Sequence, residues 1–380
     1  TLDPDAQTMD IDYRNNFSSK MPDERMLYRP GMNYQPRNKY VLQYFPTIHY
    51  LDKDGYMPGV NFLKTYSSLE NIESSINLGS KTQKIFYSIN GWTKLPHSSI
   101  DQFNYQIYNL RGVEGISISI LKDINSDNYG NGLNQIEFGF YWNQVRDTSR
   151  THLYDKGSII VNSTKMRSSF AGINSELSFD FTPFQSSDWS FNRITLINSF
   201  DQKLGLFGGR FRQVYGQIWS NQDGAPLQER FNVEGAGSGD LYKKSYLRDK
   251  TSFYGNKSFF GQYHLPGDAN LRAFGNQGFA GVEQVFAITI EGFLSKSIAG
   301  INLELAGFID QGTLSGSKFV LGDKGFDSNT LVDYGIGLRL STTIFGQPIF
   351  LRLDKPMGAK IDGIDIKKMN DWIFSFQKSI

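Results

Sequence analysis

The residues best suited to form a functional ion pair are one arginine and two acids in the last third of the chain. Arg272 lies in a long polar segment, and the two alternating segments that follow carry Glu291 and Asp310 among their polar positions. An arginine presents a rigid fork of N–H donors that suits a carboxylate bidentately. Inside a narrow channel, where the effective dielectric constant is lower than in bulk water, such a pair contributes more stability than the ~0–1 kcal/mol of a surface ion pair. The order of these residues predicts that Arg272 pairs with Asp310, with Glu291 close by. Such a pair either only pins the loop or also controls passage through the lumen.

The other reactive residues do not combine into a catalytic or metal site. The four histidines, His49, His97, His152 and His264, are far apart, whereas a zinc peptidase needs two in an H-E-x-x-H motif. The glycine-rich run 235–239 lacks the Lys-Ser/Thr that completes a phosphate loop. Cysteine is absent, which excludes disulfides and thiol chemistry. We therefore predict no catalytic residue, no metal and no cofactor, so this chain is not an enzyme.

The segments that must position the charges alternate apolar and polar residues with period two. The pattern is clearest from 301 to 310 and returns at 286–294, 334–340, 349–354 and 372–376. Successive side chains of a strand point to opposite faces of the sheet. Apolar residues on one face and charges on the other predict a sheet between lipid and a wet lumen. The predicted lipid-facing residues are Leu303, Leu305, Ile336 and Leu338, and the predicted lumen-facing polar residues are Glu304, Arg339, Arg352 and Asp354.

The composition agrees with a membrane barrel and excludes other classes. The 380 residues carry a net charge of +1, 14% aromatic residues and 38 glycines, with a mean hydropathy of −0.40. A helical membrane protein would contain apolar runs of about twenty residues, whereas a barrel hides its hydrophobicity by alternation. The near-neutral charge gives no reason to expect nucleic acid as a partner. The acidic start has no apolar run, so we expect a mature or truncated product rather than a chain with a signal peptide.

The pattern divides the chain into a connector and a barrel. Residues 1–39 show no sustained period and are predicted to form an N-terminal periplasmic connector or cap, and residues 40–380 an outer-membrane barrel. Residues 145–167 and 236–282 are predicted to be long polar loops, with 236–282 as a plug or external cap. Tight turns are predicted at 186–188 and 221–224. The alternating segments before residue 284 are 40–50, 57–66, 71–81, 84–93, 100–109, 113–122, 132–144, 168–183, 188–200, 203–219 and 225–235.

With the five C-terminal segments, these strands number about sixteen, the even count typical of bacterial barrels. The predicted fold class is therefore all-β, a transmembrane antiparallel β-barrel of about sixteen strands. Long loops are expected on the outside and short turns on the periplasmic side.

Four short motifs between residues 271 and 354 resemble a known family in their order and spacing. They are Leu271-Arg272-Ala273-Phe274-Gly275, Gly307-Phe308-Ile309-Asp310-Gln311-Gly312, Gly335-Ile336-Gly337-Leu338-Arg339 and Leu351-Arg352-Leu353-Asp354. This set is similar to the C-terminal barrel of the bacterial surface antigen superfamily, the barrels of outer-membrane assembly factors and two-partner secretion translocators.

The resemblance implies which residues form the lock. In that family a hydrophobic–Arg–Gly–aromatic tip on the long sixth external loop folds into the lumen, where its arginine meets acids on the two following strands. Arg272 matches the loop arginine and Phe274 its aromatic residue. Asp310 matches the acid of the Phe-x-Asp-x-Gly strand, with Glu291 as the partner one strand earlier. Ala273 replaces the usual glycine, which leaves the backbone conformation of the tip open.

A second resemblance concerns the beginning of the chain. Leu2-Asp3-Pro4-Asp5, Asp10-Ile11-Asp12 and Asn15-Asn16 are similar to the stretch that ends the β-rich part of some gluzincin metallopeptidases of the aminopeptidase N type. The run 231–237 is similar to barrels fused to such enzymes. The resemblance implies that the chain is the membrane half of a fusion whose zinc site lies elsewhere. The alternative is an ordinary linker.

Three functions remain open. The first is an anchor or translocator for a fused or partner domain, favoured by the tip motif and the absence of catalytic residues. The second is an assembly factor for other barrels, which needs docking domains that the 39 residues before Tyr40 are too few to form. The third is a passive solute pore. All three imply the outer membrane of a Gram-negative bacterium, its lipid and a periplasmic or surface protein as partners.

Overall fold

The computed structural model consists of strands joined by turns and loops. It divides into two compact units, the first with residues Thr1–Asp123 and Glu137–Gln144 and the second with Ile124–Ile136 and Val145–Ile380. No helix among the described residues is long and apolar enough to cross a membrane. The described residues are 24–28, 40–51, 54–95, 99–110, 112–124, 132–146, 155–183, 188–221, 224–233, 262–263, 268–277, 281–316, 328–344, 347–366 and 372–378.

The first unit is an antiparallel run of neighbouring strands. The antiparallel pairs are β2–β3, β3–β4, β4–β5, β5–β6 and β6–β7, and most of β8 belongs to the same unit. The short β1 pairs with β2 in parallel. The strands are β1 (Glu24–Tyr28), β2 (Tyr40–Leu51), β3 (Gly55–Tyr66), β4 (Glu70–Leu78), β5 (Ile85–Lys94), β6 (Gln102–Leu110), β7 (Val113–Asp123) and β8 (Gly132–Val145).

The second unit repeats this arrangement with longer strands. Its antiparallel pairs follow the order β9–β10–β11–β12–β14–β15–β16–β17–β19. The strands are β9 (Gly157–Phe170), β10 (Ile173–Phe181), β11 (Phe191–Leu204), β12 (Phe207–Ser220), β13 (Gln262–Tyr263), β14 (Gln284–Ile298), β15 (Ile301–Ser315), β16 (Ser328–Ile344), β17 (Gln347–Ile361), β18 (Ile364–Asp365) and β19 (Ile373–Lys378).

The two faces of β14–β16 differ sharply in chemistry. Along β15, exposed and buried residues alternate almost without interruption, and the exposed face carries Leu303, Leu305 and Ile309. Ile336 and Leu338 are likewise exposed on β16. The buried face carries charges instead. We call these buried alternate positions of β12 and β14–β17 the inner face. Exposed aliphatic residues opposite buried charges are the arrangement expected of strands that face lipid outside.

The predicted fold class is confirmed. Among the described residues the chain is all-β, with sixteen antiparallel strands. Two-residue hairpins join several of them, such as Ala171-Gly172 and Ala299-Gly300, whose φ values are all positive. A two-residue turn with positive φ at both positions matches the twist of the flanking strands.

One predicted loop was wrong. Residues 145–167 were predicted to be a long polar loop, but β9 occupies Gly157–Phe170. The predicted strand 168–183 is instead the end of β9, the Ala171-Gly172 turn and β10. Alternation is hidden here because residues 159–161 are apolar in succession, and in the second half of β9 the apolar Met166 and Phe170 share their face with Thr164 and Ser168.

One predicted strand was also wrong. Residues 225–235 contain a 3-10 turn at Leu227–Glu229 and a single bridge between Phe231 and Val282. Pro226 has no N–H to donate to a ladder, and the buried side chains that follow it bind elsewhere. The predicted turn 221–224 is closed by a hydrogen bond from the N–H of Gly224 to the carbonyl of Asn221 at 2.9 Å, and it opens the long connection between β12 and β14. Of the predicted turn 186–188, only Asp188 lies within the described residues.

Candidate functional site

The inner face of the second unit holds a dense group of buried charges. The antiparallel register places Asp310 opposite Asp333, and Glu304 opposite Arg339, which is itself opposite Arg352. On the other side, Arg210 of β12 is opposite Glu291 of β14. Register thus brings together charges that are distant in the sequence. The group consists of Arg210, Arg272, Arg339, Arg352, Glu291, Glu304, Asp310, Asp333 and Asp354, which we call the charge cluster.

Arg272 comes to this cluster from the long connection between β12 and β14. It begins a 3-10 turn, Arg272–Gln277, and its side chain is fully buried. Nε lies 2.9 Å from Oδ2 of Asp310, and Nη2 donates to Oδ1 of the same carboxylate at 3.2 Å. This two-point contact is the fork geometry that favours arginine over lysine. The predicted loop residue and the predicted strand acid therefore lie in direct contact.

Two further acids share the same guanidinium. Nη1 of Arg272 donates to Asp354 of β17 at 3.2 Å and to Glu291 of β14 at 3.4 Å. The flat guanidinium also lies over the ring of Phe308, with 3.7 Å from Cζ to the ring centroid. Such stacking adds an attraction that grows when the cation is desolvated. One side chain of the loop is thereby tied to β14, β15 and β17.

The backbone of the tip adds a contact with the remaining strand. The N–H of Ala273 donates to Oδ2 of Asp333 on β16 at 3.0 Å. Leu271 fills space that Gly312 leaves free, since a Cβ at Gly312 would lie 2.9 Å from Leu271 Cδ1. Phe274, the predicted aromatic residue of the tip, is also buried, but it is Phe308 that stacks on the arginine. We call residues 268–274 the loop tip.

Glu291 and Glu304 connect the tip to a second set of arginines. Arg210 donates to Oε1 of Glu291 at 3.1 Å and forms a bidentate pair with Glu304, in which Nη2 lies 2.8 Å from Oε2. Arg339 contacts both acids, at 2.9 Å to Glu304. Arg352 lies 2.6 Å from Asp354 and 3.7 Å from Glu291. Buried charges are tolerated only when they are paired in this way.

The base of the long connection has ion pairs of its own. Arg193 of β11 bridges Asp180 at 2.7 Å and Glu229 at 3.3 Å. Arg230 donates to Glu283 at 2.8 Å and to the carbonyl of Ala225, also at 2.8 Å. Burial lowers the pKa of the Arg230 guanidinium, and Glu283 opposes this shift. These contacts hold residues 224–233, which we call the loop base.

The structure brings some of the predicted site residues together and adds others to the same cluster. The structure brings together the predicted set Arg272, Glu291 and Asp310, and adds the predicted lumen-facing Glu304, Arg339, Arg352 and Asp354 to the same cluster. It also adds Arg210 and Asp333, which the sequence did not single out. Both lie in segments that alternate apolar and polar residues. The sequence pattern therefore indicates which face of the sheet they occupy, but not which residues they contact.

Nothing in the described residues forms a metal site. No group of three or more histidine, aspartate or glutamate side chains in this part of the chain could hold an ion. His97, His152 and His264 lie outside the described residues, and so do residues 235–239 of the glycine-rich run. His49 lies on β2.

Three solved structures are similar to the chain in fold. One is BamA from Haemophilus ducreyi lacking POTRA domains 1–3, with 12% identity and a TM-score of 0.45 over 89% of this chain and 70% of that chain. CdiB from Escherichia coli has 11% identity and a TM-score of 0.49 over 96% and 68%. CdiB from Acinetobacter baumannii has 12% identity and a TM-score of 0.46 over 89% and 61%.

The other two comparisons give no match. No protein-family model fits the sequence, and no curated protein is similar to it.

Proposed function

We propose that this chain is an outer-membrane β-barrel that anchors or translocates a fused or partner polypeptide, with Arg272 as the lock of its long loop. The observation that carries the proposal is the position of Arg272. A single loop side chain contacts acids on β14, β15 and β17, while the adjacent N–H binds β16. The loop tip is therefore fixed to four successive strands across the inner face.

The chemistry of the lock supports a controlled contact rather than simple stability. Burying an ion pair costs desolvation energy that often cancels its attraction, so apolar packing would hold a loop at least as firmly. Ionic contacts are directional, and a switch between two arrangements can exchange them as a set. We infer that the tip has a seated and a released arrangement, and that passage through the barrel depends on which one is occupied.

The partner is proposed to be a polypeptide because the four motifs between residues 271 and 354 resemble the barrels of assembly factors and secretion translocators. Lipid contacts the exposed aliphatic face, and the protein partner is fused or bound on the periplasmic or surface side. A gluzincin-type peptidase as the fused domain stays a prediction from the sequence alone.

The proposal can be tested with a marker domain joined to the amino end of the chain. We expect the marker to remain in the outer-membrane fraction, and its exposure to added protease in whole cells to change at least severalfold in Arg272→Ala. Arg167→Ala is the matched control, because Arg167 forms a half-exposed pair with Glu176 in the same unit. Single-channel recordings of the purified barrel should show higher conductance for the first variant and not for the second.

Two results would contradict this function. A marker found in soluble fractions would exclude the anchor. A marker and a conductance equally unaffected by both variants would exclude the lock. If depletion of this protein from cells blocks the insertion of other barrels, the result would instead favour an assembly factor. Solute flux that is independent of any attached domain would favour a pore.

A further inference from the structure

The loop tip carries an alanine at the position after its arginine, where the family that the motifs resemble carries a glycine. Ala273 lies in the 3-10 turn Arg272–Gln277, and its φ is not positive. A 3-10 turn has φ values of about −50 to −70°, which every residue type adopts. Glycine is required only where φ is positive. The bend that directs Arg272 into the charge cluster therefore lies elsewhere in the loop tip.

Asn270 supplies a left-handed backbone conformation two residues before the arginine. Its φ is +55°, and the residue is 4% exposed. Asparagine enters this region more readily than most residues because its short polar side chain can form local hydrogen bonds, whereas a β-branched residue is an outlier there. The side-chain amide also donates to Oγ1 of Thr289 on β14, at a long 3.5 Å. The bend of the tip thus falls on a residue type suited to positive φ.

The hydrogen bonds on either side of Asn270 show what the bend does. The N–H of Ala269 donates to the carbonyl of Asn232, and the N–H of Leu271 donates to the carbonyl of Val233. The donors are two residues apart, whereas the acceptors are neighbours in the sequence. The loop tip therefore holds one residue more than the segment of the loop base that it pairs with. An extra residue of this kind bends the chain and redirects the side chains that follow it.

The side chains that follow the bend are those that contact the inner face. Leu271 packs beside Gly312 of β15, where a Cβ would lie 2.9 Å from Leu271 Cδ1. Arg272 forms its two-point contact with Asp310 of the same strand. Both contacts require a close approach of the tip to β15 in one orientation. A right-handed or extended residue at position 270 would turn these side chains away from β15.

We propose that Asn270 is the positioning residue of the lock, because its left-handed conformation turns the loop tip so that Arg272 enters the charge cluster. The tip then needs no glycine at position 273. The inference rests on the proposed function, since it concerns the seating of the same lock. Seating can nevertheless be measured by itself, without a partner polypeptide and without passage through the barrel.

The absence of cysteine from the chain allows a single thiol to report on the seating. Leu271→Cys and Phe274→Cys are two separate reporters, at positions that are 0% and 1% exposed in the seated tip. A membrane-impermeant maleimide is added to the purified protein in lipid nanodiscs, where it reaches both sides of the membrane. The thiol is labelled only when the tip is released. Arg272→Ala, added to each reporter, gives the labelling rate of an unseated tip.

The variants at position 270 should follow the tolerance of each residue type for positive φ. Asn270→Ala should raise the labelling rate severalfold, and Asn270→Val should raise it roughly tenfold or more. Asn270→Gly keeps the conformation and removes the amide, so it should keep the thiols protected. Both reporters should give the same order. Heat-modifiable gel migration shows which variants are folded, and Asn270→Ala carries the test if Asn270→Val does not fold.

Two controls separate the bend of the tip from strain elsewhere. Ala299 also has a positive φ, of 51°, but it lies in the turn of the β14–β15 hairpin. Ala299→Val should therefore leave the labelling rate of the tip unchanged. Ala273→Gly should neither improve the protection of the thiols nor rescue Asn270→Ala.

Three results would overturn the positioning role. They are thiols that stay protected in folded Asn270→Ala and Asn270→Val, a labelling rate raised equally in Asn270→Gly and Asn270→Ala, and a rescue by Ala273→Gly. If Arg272→Ala raises the rate in the same experiment, such a result removes the role of Asn270 alone and leaves the lock standing. Thiols that stay protected in Arg272→Ala would remove the lock, and the positioning role with it.

Discussion

The buried faces of the two units carry different kinds of polar side chain. On β2–β7 the buried polar side chains are neutral, namely Gln43, Thr65, Asn77 and Gln106. Neighbouring hydroxyls and amides there bond in local pairs, such as Ser75 with Ser88 and Asn104 with Ser119. On β14–β17 the corresponding face carries Glu291, Glu304, Asp310, Asp333, Arg339 and Asp354.

This difference shows why the charged face depends on a loop. A neutral pair is satisfied by its two members, and losing one leaves a modest penalty. The charged face includes carboxylates whose partner, Arg272, arrives from outside the sheet. The face is therefore complete only when the loop is seated, and the following predictions measure how far that dependence goes.

The largest effect is expected for Arg272→Ala. The change leaves Asp310 buried without its guanidinium and Asp354 with Arg352 alone, and breaking one side of a buried ion pair costs about 3–5 kcal/mol. Urea unfolding in lipid vesicles should report this loss of stability. Arg167→Ala, at a half-exposed pair of the same unit, should cost under about 1 kcal/mol. Equal losses in the two variants would remove the distinction between the charged face and an ordinary surface pair.

Leu305→Arg should have the next largest effect, and it tests the opposite face of the same strands. Leu305 is 55% exposed on the apolar side of β15. An arginine there should cost about 2–4 kcal/mol if the position is near the bilayer midplane. Leu305→Ala separates the charge from the lost side chain and should cost much less. A destabilisation by arginine no greater than that by alanine would show that this face does not meet lipid.

A double-mutant cycle sharpens the comparison further. Arg272→Ala and Asp310→Asn remove the same two-point contact, so the double variant should be little worse than either single one. The coupling energy expected for residues in direct contact is about 0.5–3 kcal/mol. Additive losses in vesicle unfolding would mean that the two residues act independently and that Asp310 is held by other partners.

The smallest effect is expected on the neutral face. Asn104→Ala removes the amide that donates to Ser119 at 3.1 Å and accepts from Gln102 at 2.6 Å, and each neutral hydrogen bond contributes about 0.5–1.5 kcal/mol. The same unfolding assay applies, with conductance as a second measurement that should not change. A loss as large as that of Arg272→Ala would show that the neutral face is no less demanding than the charged one.

Sequence alone was enough for the strands and for the faces of β14–β16. Alternation there is uninterrupted, so the sides of Leu303, Glu304 and Ile336 follow from period two alone. It was not enough for β9, where consecutive apolar residues at 159–161 and the polar Thr164 and Ser168 on the face of Met166 hide the period. A pattern read one strand at a time works only where one face is apolar.

The partners in the charge cluster were harder to predict than its members. Asp333 contacts the loop tip because the β15–β16 register places it opposite Asp310. Asp354 contacts Arg272 from β17, where the β16–β17 register places it opposite Gly337. Register depends on turns and bulges, such as the irregularity at Tyr334 and Gly335, that composition does not report. The contacts of the loop base, such as Arg230 with Glu283, also join residues far apart in sequence.

The order of the cluster along the chain has a consequence for biogenesis. Every carboxylate that contacts Arg272 comes after it, at Glu291, Asp310 and finally Asp354. While the protein is being made, the arginine emerges before its seat exists, and two-thirds of the strands precede it. The loop tip can dock completely only once β17 is in position, so its docking requires that β14, β15 and β17 already lie in their final register.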